Sequence, residues 1–163
     1  MNENFNLAEY SLLEGGISIH LNPNILEEYT KWYLDNNYRV YTIEMLNRKN
    51  ENEYKYIAEH LSLFDAYGCQ GEFLEYFENF IDYEFSGKAI ILKNFDDYFI
   101  SNTNSAYILL DTLSILSRKL LIRGYHLLII LHSNDPNFQL KNVGGIQPDW
   151  NAREWFTSNR VKQ

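Results

Sequence analysis

An α/β fold, a small three-stranded parallel sheet covered by helices, is what this chain predicts, on three observations. Three apolar segments with strand character lie far apart, at residues 38–46, 88–95 and 126–135. The stretches between them carry apolar residues at helical spacing, so each strand-to-strand connection holds helix and implies a right-handed crossover. No repeat, low-complexity tract or linker divides the 163 residues, so one domain is expected. Its core runs from about 25 to 135, with an N-terminal extension over 1–24 and a C-terminal tail over 136–163.

In chain order, residues 1–24 are the least legible. LAEYSLL suits a short helix and ISIHL a short strand, with Gly15 and Gly16 between them. Asn22-Pro23-Asn24 is a turn with Pro placed to open a helix. ILEEYTKWYLDN follows as that helix, with Ile25, Leu26, Tyr29, Trp32 and Tyr33 on one side. YRVYTIEML alternates Val40, Thr42 and Glu44 against Tyr41, Ile43 and Met45, the first core strand. After the polar NRKNENE, a second helix carries Tyr54, Ile57, Ala58 and Leu61 and runs to about Leu63.

A turn-prone loop then feeds a patterned helix over residues 64–82. Phe73, Leu74, Phe77, Phe80 and Ile81 share one helical face, and Glu75, Glu78 and Asp82 the opposite one. KAIILKNF is a continuous apolar run of the kind buried in a parallel sheet. Asp96, Asp97 and SNTNS form a connection, with Ser105 a candidate cap for the longest helix. That helix, AYILLDTLSILSRKLLIRG, has Lys119 and Arg123 near its C-terminal end and stops at Gly124. HLLIILHSND is the third strand, ended by Asp135-Pro136.

Composition narrows the function. A net charge of −8 argues against direct nucleic-acid binding and favours steering toward cationic partners. With 13 Tyr and 10 Phe, the 16% aromatic content modestly favours a binding surface. The single Cys69 offers no internal disulfide, the N-terminus lacks a signal-peptide pattern, and no apolar run nears the ~18 residues of a membrane span. A cytoplasmic protein with no membrane association is the simplest expectation. His20, His60, His126 and His132 have no zinc-site spacing, and no nucleophile elbow, zinc-protease or phosphate-loop motif occurs, so neither metal nor cofactor is expected. Glu72 with Glu75, and Glu75 with Glu78, are spaced for acid–base work, but such carboxylates usually come from separate elements around a cleft. No enzyme is expected.

The loop and helix are the best candidate for function. From Phe64 to Glu84 there are six carboxylates and no Lys, Arg or His. Tyr67 and Tyr76 interleave with them, a composition that suits docking a basic protein; the alternative is an ordinary solvated helix face. The residues Phe64, Asp65, Tyr67, Gly68, Gln70, Glu72, Phe73 and Leu74 resemble the loop and helix of barstar-family proteins, intracellular inhibitors of secreted ribonucleases. A second piece is also similar to longer members of that family: Asp135-Pro136, then Val143-Gly144-Gly145, then Trp150-Asn151-Ala152-Arg153-Glu154-Trp155.

The resemblance covers Tyr38 to about Leu131 and implies three parallel strands, with the inhibitory helical pair between the first two. It implies binding of a basic toxin, of the secreted-ribonuclease kind, through Asp65, Tyr67, Gly68, Gln70, Glu72, Glu75 and Tyr76. The chain departs from the family pattern in three places. Tyr76 stands where the family has its key acid, Ala66 where a Tyr precedes the Tyr-Gly pair, and Lys119 and Arg123 where acids close the last helix. The alternative is a non-enzymatic interaction module on the same fold with a regulatory, non-nuclease partner. For the WNAREW box the expectation is structural, with Trp150 and Trp155 packing the tail and Arg153 paired to Glu154.

Overall fold

The computed structural model describes residues 8, 11–12, 15–46, 52–63, 69–79 and 81–161. Five parallel strands form one sheet: β1 (Ile17–His20), β2 (Tyr38–Glu44), β3 (Gly87–Lys93), β4 (His126–His132) and β5 (Asp149–Trp150), in the order β2-β3-β4-β1-β5. Six described helices join them: α1 (Pro23–Asp35), α2 (Glu53–His60), α3 (Gln70–Asn79), α4 (Phe95–Ser101), α5 (Thr103–Ile122) and α6 (Thr157–Val161).

The class is α/β, and the sheet has five strands where the sequence suggested three. The three expected strands are β2, β3 and β4, paired in consecutive register from Tyr38↔Gly87 to Glu44↔Lys93 and from Gly87↔His126 to Leu92↔Leu131. The two additions come from outside the expected core. ISIHL lies inside the sheet as β1, with Ile17 opposite Ile129 and His20 opposite His132, while Ile19 pairs Trp150 of β5 on its other side. ISIHL is the short strand the sequence suggested, but its place in the sheet rests on partners distant in sequence, and the two residues of β5 are too few for alternation to reveal.

The pleat separates two cores. Ile43, Ile90, Leu92, Ile129 and Leu131 face α2, α3 and α5, and that larger core includes Phe73, Phe77, Leu109, Leu113 and Leu116. Ala89, Ile91, Leu128 and Ile130 face α1, meeting Ile25, Leu26, Tyr29 and Tyr33. Trp32, expected on that apolar side, is only partly buried at its margin. Burying a side chain such as Phe73 or Phe77 contributes about 1.5–3 kcal/mol.

Helix ends follow local chemistry. Asn22 caps α1, its side chain accepting from Asn24 N–H at 2.8 Å with Pro23 in the first turn. Asn52 caps α2 in the same way through Lys55 N–H at 3.0 Å. Gly124, at φ 75°, ends α5 while Tyr125 N–H reaches back to Leu120 O at 2.9 Å.

Several local expectations are corrected. Asp96 and Asp97 belong to helix α4, because Asn94 turns left-handed (φ 53°) directly after β3 and Phe95 and Tyr98 bury behind it. Asn102, not Ser105, precedes the first residue of α5. The helix expected to reach Asp82 ends at Asn79. In the tail, Trp150 is buried but Trp155 is 45% exposed. Arg153 pairs with Glu28 of α1 rather than Glu154. The Glu154 carboxylate is fully buried, accepting from Leu21 N–H at 3.1 Å and Asn22 N–H at 2.9 Å, so backbone donors take the place of the expected cation. Arg160 lies under Trp150, its guanidinium 4.3 Å from the ring centroid, and donates to the Pro136 and Trp155 carbonyls.

Candidate functional site

Helix α3 lies on the larger-core side of the sheet, with Phe73 and Phe77 turned inward. Phe73 packs at a tilt against Tyr54 of α2 and Phe77, ring centroids 5.5 and 5.6 Å apart, so this inner face fixes the rotation of α3. The outer face then carries the expected site residues. Glu75 is exposed, Glu72 is partly exposed and Tyr76 is 38% exposed. Neither Glu72 nor Glu75 forms an ion pair with a described residue.

Gln70 opens the helix and is anchored. Its side-chain amide donates to Thr112 Oγ1 of α5 at 2.7 Å, while Phe73 N–H bonds the Cys69 carbonyl at 3.0 Å. Cys69, just before it, is exposed and unbridged. Asp65, Tyr67 and Gly68, the remaining site candidates, lie outside the described residues, as do Phe64, Ala66 and Phe80.

The acid-only character of the run holds in sequence but not throughout space. At its far end, Asp82 Oδ2 pairs with Arg39 of β2 at 2.9 Å and Asp82 Oδ1 accepts Glu84 N–H at 3.2 Å. The Lys88 ammonium lies nearby, 5.4 Å from the Phe77 ring centroid; burial pulls its pKa down to about 8, with Asp82 opposing that shift. Asp82 therefore ties the far end of the run to β2, whereas Glu72 and Glu75 on the first turns of α3 form no such pair with a described residue. Lys119 and Arg123 are exposed at the end of α5.

Among the described residues no group of three or more His, Cys, Asp or Glu is arranged to hold a metal ion. No described helix is long and apolar enough to cross a membrane. A scan against protein-family models matches no family, and a search of curated proteins returns no match.

Sequence reasoning missed a second group of polar and charged side chains altogether. Glu27 of α1, Glu44 of β2, Lys93 of β3, Asn94 after it and His132 of β4 line one cleft on the other sheet face. They come from the ends of separate strands and a helix, so no spacing in the chain brings them together.

Proposed function

We propose that this chain is a non-enzymatic, barstar-like inhibitor or immunity protein. It acts in the cytoplasm and binds a basic toxin of the secreted-ribonuclease type through the loop from Phe64 and the first turns of α3. The observation that carries this reading is the outward face of α3, where Glu72 and Glu75 form no ion pair with described residues beside Tyr76. The order strand, two helices, strand, two helices, strand over β2 to β4 supports it further.

The physical basis is mimicry of the substrate's charge. A ribonuclease binds RNA phosphates in a basic groove, and outward carboxylates on a rigid helix compete for that groove. The net charge of −8 adds long-range attraction and a rise in association rate that salt suppresses. Tyr76 supplies rigid aromatic contact area with a polar tip.

The test is titration of the purified protein against a basic secreted ribonuclease of the barnase type, following RNA cleavage at low and moderate salt. Stoichiometric inhibition that weakens with salt is expected, and Glu72→Lys with Glu75→Lys should abolish it. Inhibition that survives the double reversal would sink the placement on α3. No inhibition at any salt would remove that class of nuclease as the partner. One observation favours a second reading, a non-nuclease regulatory partner: exposed Lys119 and Arg123 give the end of α5 a basic character. Copurification from the native host with a partner lacking nuclease activity would select it.

A further inference from the structure

On the face opposite α3, helix α1 covers the middle of the sheet and Tyr38 at the start of β2, but leaves Thr42 and Glu44 at the end of that strand exposed. The gap is a cleft of about 480 Å³, lined by Pro23, Leu26 and Glu27 of α1 and by Thr42, Glu44, Ile91, Lys93 and His132 of three strands. It opens at the carboxyl ends of parallel strands, where open α/β sheets bind small ligands. Its size lies within the range of small-molecule sites.

Two opposite charges stand in this cleft without joining. Glu44 and Lys93 are register partners on adjacent strands, yet no ion pair forms between them. Glu44 Oε1 is instead held by Asn94 Nδ2 at 2.6 Å and by Leu46 N–H at 3.3 Å, which leaves Oε2 open among the described residues. Asn94 itself is fixed, in its left-handed conformation, by Asn134 Nδ2 donating to its Oδ1 at 2.8 Å. The Lys93 ammonium has no hydrogen bond or ion pair with a described residue. His132 offers no further charge: its Nδ1 accepts Asn94 N–H at 3.4 Å, and burial lowers its pKa so that the ring is neutral.

These features select a ligand by exclusion. A simple anion would meet the carboxylates of Glu27 and Glu44, and a simple cation would meet Lys93. A molecule bearing both charges satisfies each wall, and Leu26 with Ile91 gives the cleft an apolar lining. We propose that this cleft binds a small zwitterion with an apolar body, an α-amino acid of the leucine type, with its carboxylate on Lys93 Nζ and its ammonium on Glu44 Oε2. Glu27 supplies a second acceptor for the ammonium. The site lies on the sheet face away from α3, so its fate is independent of the toxin-binding reading.

The experiment is a backbone amide NMR titration of the full chain with three probes: L-leucine, L-leucinamide, which lacks the carboxylate, and 4-methylpentanoate, which lacks the ammonium. Leucine should shift Leu26, Thr42, Glu44, Lys93 and Asn94 and leave α3 unmoved, while each single-charge analogue binds about tenfold more weakly, a factor worth 1.4 kcal/mol. Lys93→Met should remove the advantage of leucine over leucinamide, and Glu44→Gln its advantage over 4-methylpentanoate, as coupling between paired groups requires. Both substitutions are at exposed side chains. The proposal is overturned if about 10 mM leucine, weak even on a millimolar scale, shifts none of these amides. It is equally overturned if the three probes bind wild type alike.

Discussion

Gln70 and Thr112 share a hydrogen bond of 2.7 Å from the side-chain amide of one to the hydroxyl of the other, and that hydroxyl is fully used. Thr112 Oγ1 donates to Ile108 O at 2.7 Å and lies 3.1 Å from Tyr54 Oη. One donor and two acceptor sites are all a hydroxyl has. Here they tie the first residue of α3 to the middle of α5 and to α2, which sets where the outward carboxylates begin.

Thr112→Val should therefore cost about 1–3 kcal/mol, since it strands the Tyr54 hydroxyl in the core; Gln70→Ala should cost about 0.5–1.5 kcal/mol, the loss of one partly exposed bond. The double variant should lose less than the sum, because both changes remove one shared bond. Urea denaturation at neutral pH reads all three. Fully additive costs in the double variant would contradict the shared-hydroxyl account.

The acidic run should divide in function where it divides in space. Asp82→Asn breaks an ion pair with Arg39 that is partly solvent-exposed, and should cost about 1 kcal/mol of stability. It should leave ribonuclease inhibition unchanged, whereas Glu75→Lys should weaken it and flatten its salt dependence. A competition titration at two salt concentrations separates these outcomes. If Asp82→Asn weakens inhibition as much as Glu75→Lys, the far end of the run belongs to the interface too.

What the sequence made legible follows from the length of each pattern. Strands β2 to β4 are seven residues each and α5 is twenty, long enough for alternation or helical spacing to stand out. The inner face of α3 was equally readable, since Phe73 and Phe77 lie one turn apart. β1 read as a strand but not as part of the sheet, and β5 did not read at all, because sheet membership is decided for both by partners on β4 and β1 rather than by their own residues. The candidate site was half legible. Its residue types announced charge, but only the fold shows Asp82 turned to Arg39 and Gln70 engaged with Thr112.

His20 makes stability depend on pH. The ring is fully buried beneath α1, edge-on to Tyr29 with centroids 4.8 Å apart, and burial, with a smaller contribution from His132, lowers its pKa from 6.5 to about 3. The folded pKa is below the unfolded one, so between these values the unfolded chain binds the extra proton. Stability should therefore fall as the pH drops below about 6.5, by at most about 1.4 kcal/mol per unit for this histidine. His132, also lowered, adds in the same direction. Urea midpoints between pH 6.5 and 5 should decline in wild type and decline less in His20→Gln. An unchanged slope in that variant would assign the pH dependence elsewhere.

The tail's conserving contacts make the last prediction a contrast between neighbours. Glu154, with no exposure, receives the backbone N–H groups of Leu21 and Asn22 where β1 passes into α1, and the Asn151 side-chain amide bonds it as well. A glutamine there keeps the shape but turns one acceptor into a donor, so at least one of these three N–H groups loses its partner. Glu154→Gln should cost about 1–3 kcal/mol, the desolvation of an orphaned buried donor. Arg153, one residue earlier, pairs with Glu28 at the surface, where Arg153→Ala should cost under about 1 kcal/mol. Urea denaturation of the two variants decides between a tail held by the buried carboxylate and one held by the surface ion pair. Since Asn22 also caps α1, hydrogen exchange in Glu154→Gln should rise first at the start of that helix, and exchange that rises only in the tail would sever the link between them.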